Sequence, residues 1–188
     1  MIFTIDPGTT ESAYVIMDDN YKPIQFEKIE NNQLLDIVKK YRFMTDDYFV
    51  IEMVANYGMR VGDTVFETVF WIGRFWEACS ASNKFKIKRK DVKMNLCNMT
   101  KVKDSHIRQS LIQRFAVWDT VNGKGNKNNP DWFFGFKADV WQAYALAVTF
   151  KDKFLTDKQY KNNNCKHANA KPEHPYGDLW CPDCKKCV

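Results

Sequence analysis

Three acidic residues, far apart in the chain, each stand where an apolar run ends or a helix begins. Asp6 closes the run Ile2-Phe3-Thr4-Ile5 and is followed at once by Pro7-Gly8-Thr9-Thr10, a turn signal. Glu52 closes a second run, Tyr48-Phe49-Val50-Ile51, and Asp139 stands at the head of a helical stretch from Ala138 to Phe150. Taken singly, an acid before Pro-Gly is usually a turn former, and an acid after a strand is usually solvated. The repetition at the ends of buried-looking elements favours a shared site of hard oxygen ligands, suited to Mg²⁺ or Mn²⁺. Phosphoryl transfer is the common chemistry of such sites.

A second set of ligand-type residues lies near the C-terminus. Cys165-x-His167 precedes Cys181-x-x-Cys184, and Cys187 follows three residues on. Two pairs separated by about a dozen residues suit a tetrahedral Zn²⁺. Cys187 or His174 can replace a member of the first pair; the alternative is a thiol-rich tail whose cysteines share no role. Cys79 and Cys97 fall within core elements and read as buried apolar residues.

The net charge of +5 is localised. Between positions 84 and 103 stand Lys84, Lys86, Lys88, Arg89, Lys90, Lys93, Lys101 and Lys103 against one acid, Asp91, so this stretch carries +7 and the remainder −2. Such a segment is either the footprint of a polyanion, with nucleic acid favoured, or a solvated edge strand protected from aggregation. Tyr57, after Glu52, either stacks on an unpaired base or packs on the domain, the commoner fate of a loop aromatic.

These residues need a frame. Strands are expected over Ile2–Asp6, Ser12–Met17 and Ile24–Ile29, forming a meander, and again over Tyr48–Glu52 and Phe85–Lys90. Asn31 or Asn32 caps a helix whose Leu34, Leu35, Ile37 and Val38 face inward. A long helix fits Gly62 to Ser80, with Val65, Val69, Ile72, Trp76 and Cys79 on one face and Phe66, Phe70, Gly73 and Phe75 on another; the second face is expected to meet a second subunit. Asp104 or Ser105 caps a helix from His106 to Phe115. Residues 122–130 read as a flexible polar loop, and 138–150 as a closing helix with small residues for close packing. The expected division is a domain at 1–157 followed by a linker and Cys/His-rich tail at 158–188.

At 188 residues, 45% of them hydrophobic, the chain is long enough for one core plus an appendage. No apolar run approaches the ~20 residues of a membrane span, and no signal segment opens the chain. A cytoplasmic protein with reduced cysteines is therefore expected.

The order βββαβαβαα, an α/β layer with a mixed five-stranded sheet flanked by helices, resembles the RNase H-like fold. Within it, the chain from about 1 to 150 resembles the RuvC-like Holliday-junction resolvases. The carrying motifs are Ile5-Asp6-Pro7-Gly8-Thr9-Thr10, Val50-Ile51-Glu52, Val61-Gly62-Asp63-Thr64 into Trp71-Ile72-Gly73-Arg74, and Lys137-Ala138-Asp139-Val140-Trp141-Gln142-Ala143. The resemblance implies a homodimeric endonuclease that cuts four-way DNA junctions with two Mg²⁺ ions per site. It implies that Asp6 bridges the ions while Glu52 and Asp139 each hold one, leaving a 5′-phosphate and a 3′-hydroxyl. The family places two metal-facing side chains three residues apart on the closing helix. Here Gln142 stands three after Asp139 and Phe136 three before, so Gln142 is a candidate ligand without charge. Short members with such tails resemble viral or phage enzymes. Two other readings stay open: a non-catalytic junction-binding protein, and a phosphate-binding domain related to actin-like ATPases, suggested by Asp6-x-Gly8-Thr9-Thr10.

Overall fold

A strand buried on both faces must lie inside a sheet, and the first strand of this chain is such a strand. In the computed structural model, which describes residues 1–55, 58, 61–156, 171–172, 179–181 and 186–187, β1 (Ile2–Asp6) is buried from Ile2 to Ile5. It occupies the centre of a five-stranded sheet of order β3-β2-β1-β4-β5. β2 (Glu11–Met17) and β3 (Pro23–Glu30) complete an antiparallel meander. β4 (Tyr48–Met53) and β5 (Asn83–Lys88) add in parallel on the other side. The mixed α/β architecture expected from sequence is therefore present.

Each face of the sheet has its own cover. Phe3, Ile5, Phe49 and Ile51 face α1 (Asn31–Lys40) and α2 (Asp63–Ala78), meeting Leu34, Leu35, Val38, Ile72 and Phe75. On the opposite face the Thr4 hydroxyl donates to the Ala143 carbonyl at 2.8 Å. That bond lays α5 (Val140–Phe150) against β1, and Ala143, Ala145 and Ala147 are fully buried. α3 (Arg89–Cys97) and α4 (Asp104–Phe115) follow β5.

Contacts group Met1–Thr149 into one unit and Phe150–Val188 into a second. The described elements of the second are a π-helical run, Lys151–Thr156, and three short antiparallel strands, β6 (Lys171–Pro172), β7 (Leu179–Cys181) and β8 (Lys186–Cys187). Cys165, His167 and Cys184 lie outside the described residues, as do the side chains of Cys181 and Cys187, so the zinc expectation falls outside them too. No helix among the described residues is long and apolar enough to cross a membrane.

Four expectations need correction. β5 ends at Lys88, and Arg89 and Lys90 open a helix that the sequence reading lacked. Val92 is its one buried residue, so it carries no hydrophobic period. Asn31 is the first residue of α1 rather than its cap: its Oδ1 accepts from the Ser12 hydroxyl at 2.6 Å and its Nδ2 donates to the Gly8 carbonyl at 3.1 Å. In α2, Phe75 joins Ile72 and Cys79 on the sheet side, while Val69 joins Phe66 and Phe70 among the exposed residues. Residues 122–130 belong to a structured turn. The Asp131 carboxylate accepts from the backbone N–H groups of Val117, Trp118, Asp119 and Trp132, and Asp119 accepts from Asn122, Lys124 and Gly125. Burial pushes the Asp131 carboxyl up, but those four donors outweigh it and hold it at about 2.

The Ser12–Asn31–Gly8 bridge fixes the turn that leaves Asp6. Asn31→Ala orphans buried polar groups and is expected to cost about 1–3 kcal/mol. Urea unfolding of the variant against the parent protein measures this.

Candidate active site

β1 and β4 run parallel with Ile5 opposite Ile51, which brings Asp6 and Glu52 abreast at the C-terminal ends of neighbouring strands. Side chains alternate along a strand, so both acids lie on the face from which Thr4 reaches α5. They border a cleft of about 350 Å³ whose lining includes Pro7, Met53, Thr64 and Arg89. The turn after Asp6 has no room for a side chain at Gly8, where a Cβ would overlap the Glu11 carbonyl oxygen.

Asp139 arrives from the other end of the chain. Ala138 takes a left-handed backbone (φ 39°), and the Asp139 carbonyl then accepts from the N–H groups of Gln142 and Ala143 to start α5. The Asp139 carboxylate is half exposed and lies 2.8 Å from Lys28 Nζ, which also reaches Glu11 at 3.6 Å. Of the two residues three positions away, Phe136 is fully buried among Phe133, Trp141 and Tyr144 and cannot serve as a ligand. Gln142 is also buried, and its Oε1 has no hydrogen-bond partner among the described residues.

Arg89 Nη1 lies 3.1 Å from Glu52 Oε2, and its Nη2 lies 2.8 Å from Asp104 Oδ1. Burial drives the Asp6 carboxyl well above its ordinary range, and the charges of Glu52, Asp139 and Asp104 push it the same way against Arg89. Burial also raises Glu52, with Arg89 opposing. Asp6 thus feels both other acids of the predicted set. The donor set of hard oxygens, with an orphaned amide oxygen on α5, fits a divalent cation. Among the described residues, however, no three acidic, histidine or cysteine side chains converge into a ready-made ion shell. Glu52 is engaged by Arg89 and Asp139 by Lys28.

The sequence reading missed Asp104 as a member of this cluster and treated it only as a helix cap. An acid at a helix head is the signature that selected Asp139, and the same rule could have selected Asp104. The basic segment divides. Lys86 pairs with Ile51 in register and lies over the Trp76 ring at 4.3 Å, and Lys84 donates to the Trp76 carbonyl at 2.9 Å. Lys88 alternates onto the same α2 side, away from the acids. Arg89, Lys90, Lys93 and Lys101 line a separate pocket of about 360 Å³, while Lys103 is exposed just before α4. Tyr57 lies outside the described residues.

A carboxyl raised on folding binds its proton more tightly in the folded state than in the unfolded one. Folding is therefore penalised as pH climbs above the unfolded value of about 3.9 and towards the folded one. Asp6→Asn is expected to raise the melting temperature of metal-free protein at neutral pH, with the gain shrinking towards pH 4. Melting curves across that range measure both sign and trend.

No protein-family model matches this sequence, and no curated protein matches it. Solved structures do. A Thermus thermophilus RuvC structure aligns with TM-score 0.54 and 15% identity, over 81% of this chain and 95% of that one. T. thermophilus RuvC in complex with Holliday junction substrate aligns with TM-score 0.51 and 13% identity, over 79% of this chain and 90% of that one. With the β3-β2-β1-β4-β5 sheet and its flanking helices, these matches establish that the chain has the fold of RuvC.

Proposed function

We propose that this protein is a metal-dependent endonuclease that cuts branched DNA, with the four-way junction as its substrate. The observation that supports this most is the pairing of Asp6 with Glu52 at adjacent strand tips, close enough to Asp139 for Asp6 to feel the charge of both. The RuvC fold and the junction-bound neighbour point the same way.

Two Mg²⁺ or Mn²⁺ ions, when bound at such a site, supply an activated water and stabilise the leaving oxyanion. Asp6, Glu52 and Asp139 are the residues that would hold the ions, with Asp6, which feels the charge of both others, central to the set. Gln142 offers a neutral carbonyl oxygen where a fourth acid would otherwise stand. Lys90, Lys93 and Lys101, beside the cleft, are the residues to meet DNA phosphates, and Lys103 extends the same basic stretch.

Asp6→Asn or Asp139→Asn keeps side-chain shape and removes charge. Either is expected to reduce Mg²⁺-dependent nicking of a synthetic four-way junction by at least about 10³-fold while junction binding survives, since binding rests on lysines and arginine. A wild-type protein that binds junctions without nicking them would be a binding module. One that instead hydrolyses ATP would belong with the actin-like phosphate binders.

Two symmetric nicks need two sites, and a homodimer supplies them. The exposed Phe66 and Phe70 support this, as does a groove of about 580 Å³ lined by Leu35, Val69, Phe70 and Gly73 between α1 and α2. Phe66→Glu with Phe70→Glu is expected to convert a dimer to a monomer in sedimentation at micromolar concentration.

A further inference from the structure

Arg89 occupies an unfavourable position. It is the first residue of α3, where the helix dipole is positive and a cation is disfavoured. Its side chain is mostly buried, at 23% exposure, which also disfavours charge. Two carboxylates keep it there: Glu52 at 3.1 Å, itself only 15% exposed, and Asp104 at 2.8 Å, which is 58% exposed at the head of α4. Asp104, unlike Arg89, suits its helix position, because an acid at a helix N-terminus is stabilised by the dipole. Glu52 therefore has a competitor for any divalent cation, and that competitor has a second partner nearer to solvent.

Resting on the metal-site reading above, we infer that Arg89 is a resident counter-ion that occupies Glu52 while the site is metal-free and withdraws onto Asp104 when a divalent cation binds. It is a positioning residue, acting through Glu52. In the metal-free protein it lowers the mutual repulsion of Asp6 and Glu52, and the shared guanidinium draws Glu52 away from the geometry of an ion shell. Cation binding at Glu52 removes the attraction that held Arg89 inward and adds repulsion. Asp104 then retains the side chain, so the exchange does not set a buried arginine adrift. Lys28 on Asp139 is a looser counterpart: both partners are substantially exposed, and such pairs contribute little.

The experiment is a calorimetric titration of Mn²⁺ into DNA-free full-length protein, with melting temperatures recorded alongside. Arg89→Met is expected to tighten Mn²⁺ binding by about tenfold, equivalent to ~1.4 kcal/mol, while lowering the metal-free melting temperature; Mn²⁺ then restores it. Asp104→Asn, an exposed change that leaves the fold intact, is expected to weaken Mn²⁺ binding several-fold because Arg89 loses its alternative partner. Arg89→Lys is expected to return the affinity towards wild type. A purely structural role for Arg89 predicts the opposite sign, with weaker binding in Arg89→Met, and that result overturns the inference. Unchanged affinity in Asp104→Asn overturns it as well, as does absence of measurable Mn²⁺ binding in both wild type and Arg89→Met. Asp6→Asn separates the two levels. If it abolishes Mn²⁺ binding while Arg89→Met fails to tighten it, only the counter-ion role falls. If Asp6→Asn leaves binding intact, the metal-site assignment itself fails and takes this inference with it.

Discussion

Two carboxylates held side by side in a desolvated strand end are the constraint around which the rest of the site is arranged. Asp6 and Glu52 owe their adjacency to the parallel pairing of β1 with β4, and burial makes the adjacency costly. Arg89, from the helix after β5, offsets part of that cost, while Lys28, from the outer strand of the meander, pairs with Asp139. Asp104 and Asp139 add to the acidic surplus, since both push the Asp6 carboxyl further up. Against strand tips of this kind stands a large and dry core. Phe3, Ile5, Phe49 and Ile51 on one face, and the alanines of α5 on the other, supply what the acids subtract.

How much of this was legible in the sequence depended on whether an element announces itself locally. β1, β2, β4, α2 and α5 each carry a run or a period that needs no partner to be recognised, and the acids at their ends could be read from position alone. α3 was illegible because one buried valine gives no period, and its basic residues read as continuations of β5. Asn31 was misread because an asparagine at a helix start has two local uses, and only the meander's return shows which one applies. The role of Arg89 was hidden for a different reason. Counting charge along the chain assigns a cation to an external polyanion, whereas its neighbours, Glu52 and Asp104, are 37 and 15 positions away. Phe75 belongs to the inner face of α2 because it stands three residues after Ile72 and four before Cys79, whereas Val69 is exposed because burial is confined to the second half of the helix.

The turn between α4 and α5 shows the same economy of means at a site without evident chemistry. Asp119 and Asp131 satisfy seven backbone N–H groups between them, so a glycine- and asparagine-rich stretch takes one shape without a hydrophobic core of its own. Its far end leads through the Phe133–Phe136–Trp141–Tyr144 ring cluster into Ala138 and Asp139, so the order of the loop carries through to the head of α5.

The Thr4–Ala143 hydrogen bond joins the fourth residue of the chain to one 139 positions later. During synthesis the meander and β4 emerge early, yet Thr4 and the central strand behind Asp6 lack their α5 partner until that helix leaves the ribosome. Contacts of such long sequence separation form late and slowly. A ribosome-bound chain ending before that helix has two of the three acids and an open apolar surface, but no assembled site. The three acids of the proposed site therefore come together only after residue 143 has been made, so through most of synthesis Asp6 and Glu52 are present without Asp139.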